Sequence, residues 1–501
     1  MLQIKRRTFV EWFSLCSAGM LMTPLHGYPL IESKRDGSFK RVITKVISSD
    51  RIMPPEGKRV PFGWSAVGIA PGASVILKPE KTLAGKHFWL RLSVAMEIWD
   101  INLLKVSIPE VETCLGTMDI RFSSVLVPYE LKIDAKHIEH INRYGLKITL
   151  DSSSPLWVFS EKARDADNRA FLPYILVADE ESGTEEDFFQ CMESLNTVQA
   201  FGWREGTVLD GLWQLYAQKG HNKALETIKQ HLNLFFEGDN LHYETGASKP
   251  KLNEVDGIES TIPFATVARL DAGHPILKTV VEGWTKLKKS NGMIVDGSTI
   301  SAEGCYTVAY PMAVIGKAWN DKELMMDALE QLKHRFALYT DNILYLRYHN
   351  TSGKYTFPNW ARGAAWNLLG FARTMSELNG AMEDKEVIQK FQEGIKLALS
   401  MQRSNGLWGC FMHKPDSLPD TSGSAGIAAA ILIGIRNGHL PEEYRQYANN
   451  CWNALQQYIT PDGFLKSVAQ DNRGGIEVQE SDYRVIAQMG MGLMAQLYAA
   501  M

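Results

Sequence analysis

Six times after about residue 187 of this 501-residue chain, at intervals of roughly 45–60 residues, a short polar cluster opens a segment of apolar residues at helical spacing. The clusters are Trp203-Arg204-Glu205-Gly206, Asp256-Gly257-Ile258-Glu259-Ser260, Glu303-Gly304-Cys305-Tyr306, Trp360-Ala361-Arg362-Gly363, Asp420-Thr421-Ser422-Gly423-Ser424 and Glu480-Ser481-Asp482-Tyr483. Repetition at such a period marks an array of supersecondary units, here helix pairs. Several of the helices that follow are apolar nearly all round, as in Ile427-Ala428-Ala429-Ala430-Ile431-Leu432, and such a helix must be buried on most faces. Others carry a single apolar stripe, as in Leu324-Met325-Ala328-Leu329-Leu332. Six buried helices alternating with six amphipathic ones predict a double ring, an (α/α)6 toroid over residues 187–501. The inner helices of such a ring begin at one end, so their polar first turns are expected to converge on one cavity.

Residues 38–182 follow another rule. Val42-Ile43-Thr44-Lys45-Val46-Ile47, Ser74-Val75-Ile76-Leu77, Phe88-Trp89-Leu90-Arg91-Leu92 and Lys147-Ile148-Thr149-Leu150 are short strand-like runs separated by turn formers such as Pro54-Pro55-Glu56-Gly57. They predict an antiparallel β-sandwich in front of the toroid. The polar stretches Asp165–Asn168 and Asp179–Glu186 read as the linker. Lys5-Arg6-Arg7-Thr8-Phe9-Val10, followed by a moderately apolar run to Met22, resembles a twin-arginine export signal within residues 1–27. It predicts a periplasmic or extracellular protein.

A net charge of −4 spread over this length leaves no basic footprint for nucleic acid and no polybasic arm for a membrane surface. No apolar run is long enough for an integral membrane helix. Of six cysteines none form a CxxC pair, and no cluster has metal-ligand spacing, so neither a metal nor an organic cofactor is expected. Thirteen Trp and seventeen Tyr suit a sugar-binding cleft as well as a core. Capping explains Asp420, Thr421 and Ser422 as readily as chemistry does. It does not explain Arg204 and Arg362, because a cation opposes the dipole at a helix start and so calls for a negative ligand.

Trp360-Ala361-Arg362-Gly363-Ala364-Ala365-Trp366 resembles the W-x-R-G-x-x-W signature of glycoside hydrolase families 88 and 105, the unsaturated glucuronyl and rhamnogalacturonyl hydrolases. Tyr348-His349, Gly406-Leu407-Trp408 and Ser422-Gly423-Ser424-Ala425 stand in the order that the resemblance implies. The family's catalytic Asp falls where this chain has Glu303, in Glu303-Gly304-Cys305-Tyr306-Thr307. One added methylene moves the carboxylate by roughly 1.5 Å, and misplacement of about 1 Å can cost on the order of a hundredfold in rate. The site is therefore expected to be rebuilt around a different substrate geometry. A sheet domain preceding the toroid is more similar to glycoside hydrolase family 154, which implies β-glucuronidase activity.

The leading expectation is thus an exo-acting glycoside hydrolase that releases terminal glucuronic acid from a uronic-acid-terminated oligosaccharide. Hydration of an unsaturated uronyl residue is the alternative; a non-catalytic glycan-binding protein and a polysaccharide lyase are further ones. Glu303 is expected to be one of two carboxyl groups flanking the bond, with Asp256 and Glu259 ahead of Glu205 and Asp482 as its partner because their segment lies one repeat earlier. In the hydration route Glu303 would serve as acid and then as base, with Asp256 assisting by orientation. Arg362, His349, Trp360, Trp366, Tyr306, Arg204, Ser422 and Ser424 are the expected substrate-binding residues. Self-association stays open.

Overall fold

The computed structural model describes residues 39–47, 52–111, 113–160 and 166–501. The export-signal reading falls outside these residues.

The N-terminal part carries ten strands: β1 Phe39–Ile47, β2 Ala66–Ile69, β3 Ser74–Pro79, β4 His87–Ser93, β5 Ile101–Ile108, β6 Thr113–Arg121, β7 Pro128–Ile133, β8 Leu146–Asp151, β9 Leu156–Phe159 and β10 Tyr174–Ala178. Eight form one antiparallel sheet in the order β6-β5-β8-β3-β1-β10-β4-β7, while β2 and β9 pair separately. The expected pair of stacked sheets is not what forms. β1 pairs with β10 through Phe39–Ile43 and then with β3 through Thr44–Ile47, so one strand carries the sheet around a corner. The two edge strands, β6 and β7, also approach each other, and the sheet curls into a barrel-like shape. Alternation of apolar residues shows that one face is buried but not whether the sheet is split or curled. Leu77, Leu90, Leu104, Val106, Ile120, Leu146, Ile148 and Ile175 fill the buried side. β10 lies between the two polar stretches read as a linker, because its five buried residues complete the sheet.

The helices are α1 Ile138–Tyr144 within the sheet domain, then α2 Glu185–Met192, α3 Trp203–Lys219, α4 Asn222–Phe235, α5 Pro263–Leu270, α6 Ile276–Leu287, α7 Tyr310–Trp319, α8 Lys322–Lys333, α9 Ala361–Leu378, α10 Lys385–Leu399, α11 Thr421–Arg436, α12 Arg445–Leu455, α13 Gly475–Glu480 and α14 Gln488–Ala500. Contacts run α3–α5–α7–α9–α11–α14 and back to α3, which closes an inner ring of six. α4, α6, α8, α10 and α12 each pack outside the inner helix that precedes them, and α2 packs against α14. The burial follows the sequence pattern. α11 is buried from Thr421 through Ile435, whereas α6 buries only Ile276, Leu277, Val280 and Trp284. The last start was misplaced by the sequence: Glu480 ends the short α13 and pairs with Lys414, and the sixth inner helix begins at Gln488. Among the described residues no helix is long and apolar enough to cross a membrane.

The two parts are joined through Asp462, which is fully buried. It accepts from Arg41 at 3.0 Å, Arg91 at 3.1 Å and the Tyr174 hydroxyl at 2.8 Å, all three from the sheet domain. Burial alone would raise its carboxyl, but Arg91 and Arg41 hold it below the ordinary carboxylate range.

Candidate active site

A cavity of about 470 Å³ opens at the end of the ring where the inner helices begin. That size suits a small ligand such as a sugar or two. Trp203 and Arg204 reach it from the start of α3, Asp256 and Glu259 from the loop before α5, Glu303 from the loop before α7, and Trp360, Arg362 and Trp366 from α9 and its cap. Four of the six polar clusters thus converge as expected. Tyr243 and Thr245, Arg347, and Asp471 to Arg473 complete the wall from hairpins and loops between the helices.

Glu303 is held from two sides. Ser301 Oγ donates to its Oε2 at 2.5 Å, and Arg347 Nη2 lies 3.1 and 3.2 Å from its two oxygens. Gly304 lets the chain pass over the buried Arg335, whose guanidinium occupies the space any Cβ would need. Arg335 in turn donates to the carbonyls of Ser301, Gln331 and Ile294, fixing the loop under Glu303. Immediately afterwards Cys305–Ala309 form a π-helical turn leading into α7, an irregularity often found at functional sites.

Glu259 shares the same cation, with Arg347 Nη2 4.0 Å from its Oε1. The separation of these two carboxylate oxygens therefore cannot exceed the sum of their contacts with that one nitrogen. Gly257, at φ +70°, makes the turn that sets Asp256 and Glu259 on the cavity wall, and Asp296 leaves no room there for a side chain. Loss of solvation within the cavity and the neighbouring charge of Glu303 push the Glu259 carboxyl up to about 8, against the pull of Arg347. Its side chain stays 48% exposed through the cavity mouth, so it remains open to an incoming molecule. Asp256 also faces the cavity, and its charge, after burial, helps raise the neighbouring Asp296.

The same cavity holds a cationic group. Arg204, Arg362 and Arg473 surround the single carboxylate of Asp471. Asp471 is raised by burial but held low by all three guanidiniums, the strongest pull coming from Arg204. Arg204 is ion-paired to it, yet burial and the charges of Arg473 and Arg362 still draw the Arg204 guanidinium down to about 10. Three cations facing one anion leave unbalanced positive charge. Arg362 is already engaged: its two terminal nitrogens donate to the carbonyls of Ala469 and, at 2.6 Å, Gln470, and it lies 4.7 Å from the Trp360 ring centre. Arg473 is the less engaged, with a 3.5 Å ion contact to Asp471 and a buried Nη1 without a hydrogen-bond partner.

Tyr306 lies beneath the cavity. It stacks on Trp366 at 5.7 Å and on Tyr310 at 5.5 Å, and its hydroxyl donates to Asp210 at 2.7 Å. It supports an aromatic platform from below. His349 is outside the lining; its ring sits between the hydroxyls of Thr299 and Thr356 on the strand Ile343–His349. Ser422 and Ser424 are fully buried, Ser422 bonded to the capping Asp420 and Ser424 accepting the Trp408 N–H at 3.0 Å. Sequence reasoning missed Arg347, Asp471 and Arg473. Arg347 stands two residues before His349 and so shares a strand face with it, which alternation could have shown. Asp471 and Arg473 lie in an aperiodic loop that offers no such signal.

Residues 177–501 match the family described as Glycosyl Hydrolase Family 88. The chain belongs to glycosyl hydrolase family 88. Within that family setting, the chain is 24% identical over 194 residues to the unsaturated rhamnogalacturonyl hydrolase YesR of Bacillus subtilis. That match covers 36% of this chain and 54% of YesR, so the chain spans about half the length of this curated relative. Among solved structures, a family 105 glycoside hydrolase of C. acetobutylicum is similar with a TM-score of 0.53 at 18% identity, over 61% of this chain and 94% of that one. A family 88 glycosyl hydrolase of Bacteroides vulgatus gives a TM-score of 0.50 at 17% identity, over 63% and 98%. At these identities the structural likeness speaks for the fold alone.

Proposed function

We propose that this family 88 protein removes an unsaturated uronyl residue from the end of an oligosaccharide by hydrating its C4–C5 double bond. The observation that carries the reading is the paired arrangement of Glu259 and Glu303 on one guanidinium, in a cavity where three further guanidiniums surround the single carboxylate of Asp471. The likeness to YesR, an unsaturated rhamnogalacturonyl hydrolase, supports this chemistry over release of saturated glucuronic acid.

In this reading the substrate carboxylate lies toward the guanidiniums, and the ring stacks against Trp366 or Trp360. Glu259, whose raised carboxyl keeps its proton near neutrality, donates that proton to C4 of the vinyl ether. The positive charge left at C5 and the ring oxygen is met by water. Glu303, held by Arg347 and Ser301, accepts the proton that the water loses. The resulting C5 hemiketal opens to a ketone, and collapse of the exposed C1 hemiacetal expels the rest of the chain as an alcohol. One proton enters and one leaves. Asp256 assists by orienting the water.

A paired assay tests the proposal: a lyase-generated unsaturated disaccharide followed by loss of ultraviolet absorbance, beside a saturated aryl β-glucuronide followed by phenol release. Loss of absorbance without phenol release is the expected result. Phenol release alone would replace the hydration route with direct displacement between two carboxylates.

A further inference from the structure

We propose that the N-terminal sheet domain is a working part of this site, with Trp99 as the positioning residue that holds Arg473 for the substrate's carboxylate. The inference rests on the uronate reading above.

Trp99 lies in the connection between β4 and β5 and is 51% exposed, unusual for so large an apolar side chain. Its ring sits 4.2 Å from the Arg473 guanidinium carbon, a cation–π contact between the two domains. The connection that carries it is fixed. Ile98 is buried and its N–H donates to the Ser123 carbonyl at 2.8 Å. Glu97 is buried too, binding Lys58 at 2.6 Å and the Ser248 hydroxyl, and its own N–H donates to Ser248 Oγ at 3.2 Å. Ser248 belongs to the same segment as the cavity residues Tyr243 and Thr245, so the connection is tied to the cavity wall on that side as well.

The loop carrying Asp471 and Arg473 rests on the sheet domain at two further points. Gln470 donates to the Arg121 carbonyl at 2.7 Å and to the Tyr129 hydroxyl at 3.0 Å. A Cβ at Gly474 would come within 2.7 Å of the Phe122 ring. The helical ring alone supplies Arg473 with little: the long contact to Asp471 and no partner for Nη1. The other contact of its guanidinium is the Trp99 indole. Arg473 lines the cavity beside Arg204 and Arg362, and a planar guanidinium in that wall suits a carboxylate.

The test compares Trp99→Ala, Trp99→Phe, Arg473→Ala and the Trp99→Ala/Arg473→Ala double variant. KM for the unsaturated disaccharide should rise roughly tenfold in Trp99→Ala, from the usual worth of a partly buried cation–π contact, with kcat within about twofold. Trp99→Phe should recover most of the loss, and the double variant should be no worse than Arg473→Ala, since the two act as one unit. An unchanged KM in Trp99→Ala, or losses that simply add, would overturn the inference. Calorimetric binding of the same disaccharide separates it from the hydration reading. Wild-type binding without turnover, weakened in Trp99→Ala, removes the reaction but keeps the positioning role; no wild-type binding removes both.

Discussion

Replacing Arg347 by Met is the most searching perturbation of the proposed chemistry. The substitution keeps an apolar stem and deletes the charge that Glu303 and Glu259 share. At about 4 Å a unit charge is worth ~1 kcal/mol in water-like surroundings and ~4 kcal/mol at an effective dielectric of about 20. At ~1.36 kcal/mol per pH unit, removing it should displace the Glu259 titration upward by between about 0.7 and 3 pH units. Glu259 is 48% exposed and Arg347 26%, so solvent screening places the outcome near the low end, about one unit. The direction follows from charge: without the cation, ionising Glu259 beside Glu303 is harder. A general acid must be protonated to act, so the rate falls as pH rises through its pKa. In the wild type the descending limb of kcat/KM against pH is expected near 8, far above ordinary carboxylate titration. In Arg347→Met it should move to higher pH while the plateau drops, because Glu303 loses its orientation. The measurement is the absorbance assay on the unsaturated disaccharide over a pH series at constant low ionic strength. A limb that stays in place or moves toward acid would refute Glu259 as the acid.

Glu303→Gln should lower kcat by about 10²–10⁴-fold, the usual worth of acid–base catalysis, with an unchanged unfolding midpoint; near-full turnover would remove Glu303 from the mechanism. Arg362→Ala should cost about 1–3 kcal/mol of stability through the bond lost at the Ala469 carbonyl, the Gln470 carbonyl keeping the Gln479 amide as donor, and should weaken uronate and neutral ligands alike. Selective loss of uronates at unchanged stability would instead make Arg362 a direct carboxylate ligand. Asp462→Ala strands Arg41 and Arg91 in the domain interface and should destabilise by about 3–5 kcal/mol in denaturant titration. A change below about 1 kcal/mol would mean that water or Glu130, 2.9 Å from Arg91, takes over the neutralisation.

Much of this was legible in the amino-acid sequence, because helical periodicity and burial are local properties. The all-apolar stretch of α11 and the striped α8 could only belong to inner and outer layers. The strands read from Ser74–Leu77, Phe88–Leu92 and Lys147–Leu150 form where alternation placed them. What could not be read was long-range: that β1 changes partner midway, and that Glu480 closes a short helix instead of opening a long one. The site divides in the same way. Glu259, Glu303 and Arg204 sit at helix approaches and were found by their repeat. Ser422 and Ser424 share that signature but turn inward, Ser422 onto the capping Asp420 and Ser424 onto the Trp408 backbone. Arg473 has no periodic mark, and its setting depends on Trp99, more than three hundred residues earlier in the chain.

The Asp462 joint also bears on how the chain comes into being. Its partners are 421 and 371 residues away in sequence. Synthesis proceeds from the N-terminus, and domains tend to fold as they emerge. A sheet domain that folds as it emerges does so while Arg41 and Arg91 still lack the counter-charge supplied by Asp462. Until nearly the last helix is made, those two cations remain in contact with water on an incomplete surface. The nascent sheet domain is thus a waiting platform, and closure of the helical ring is the late event that seals it.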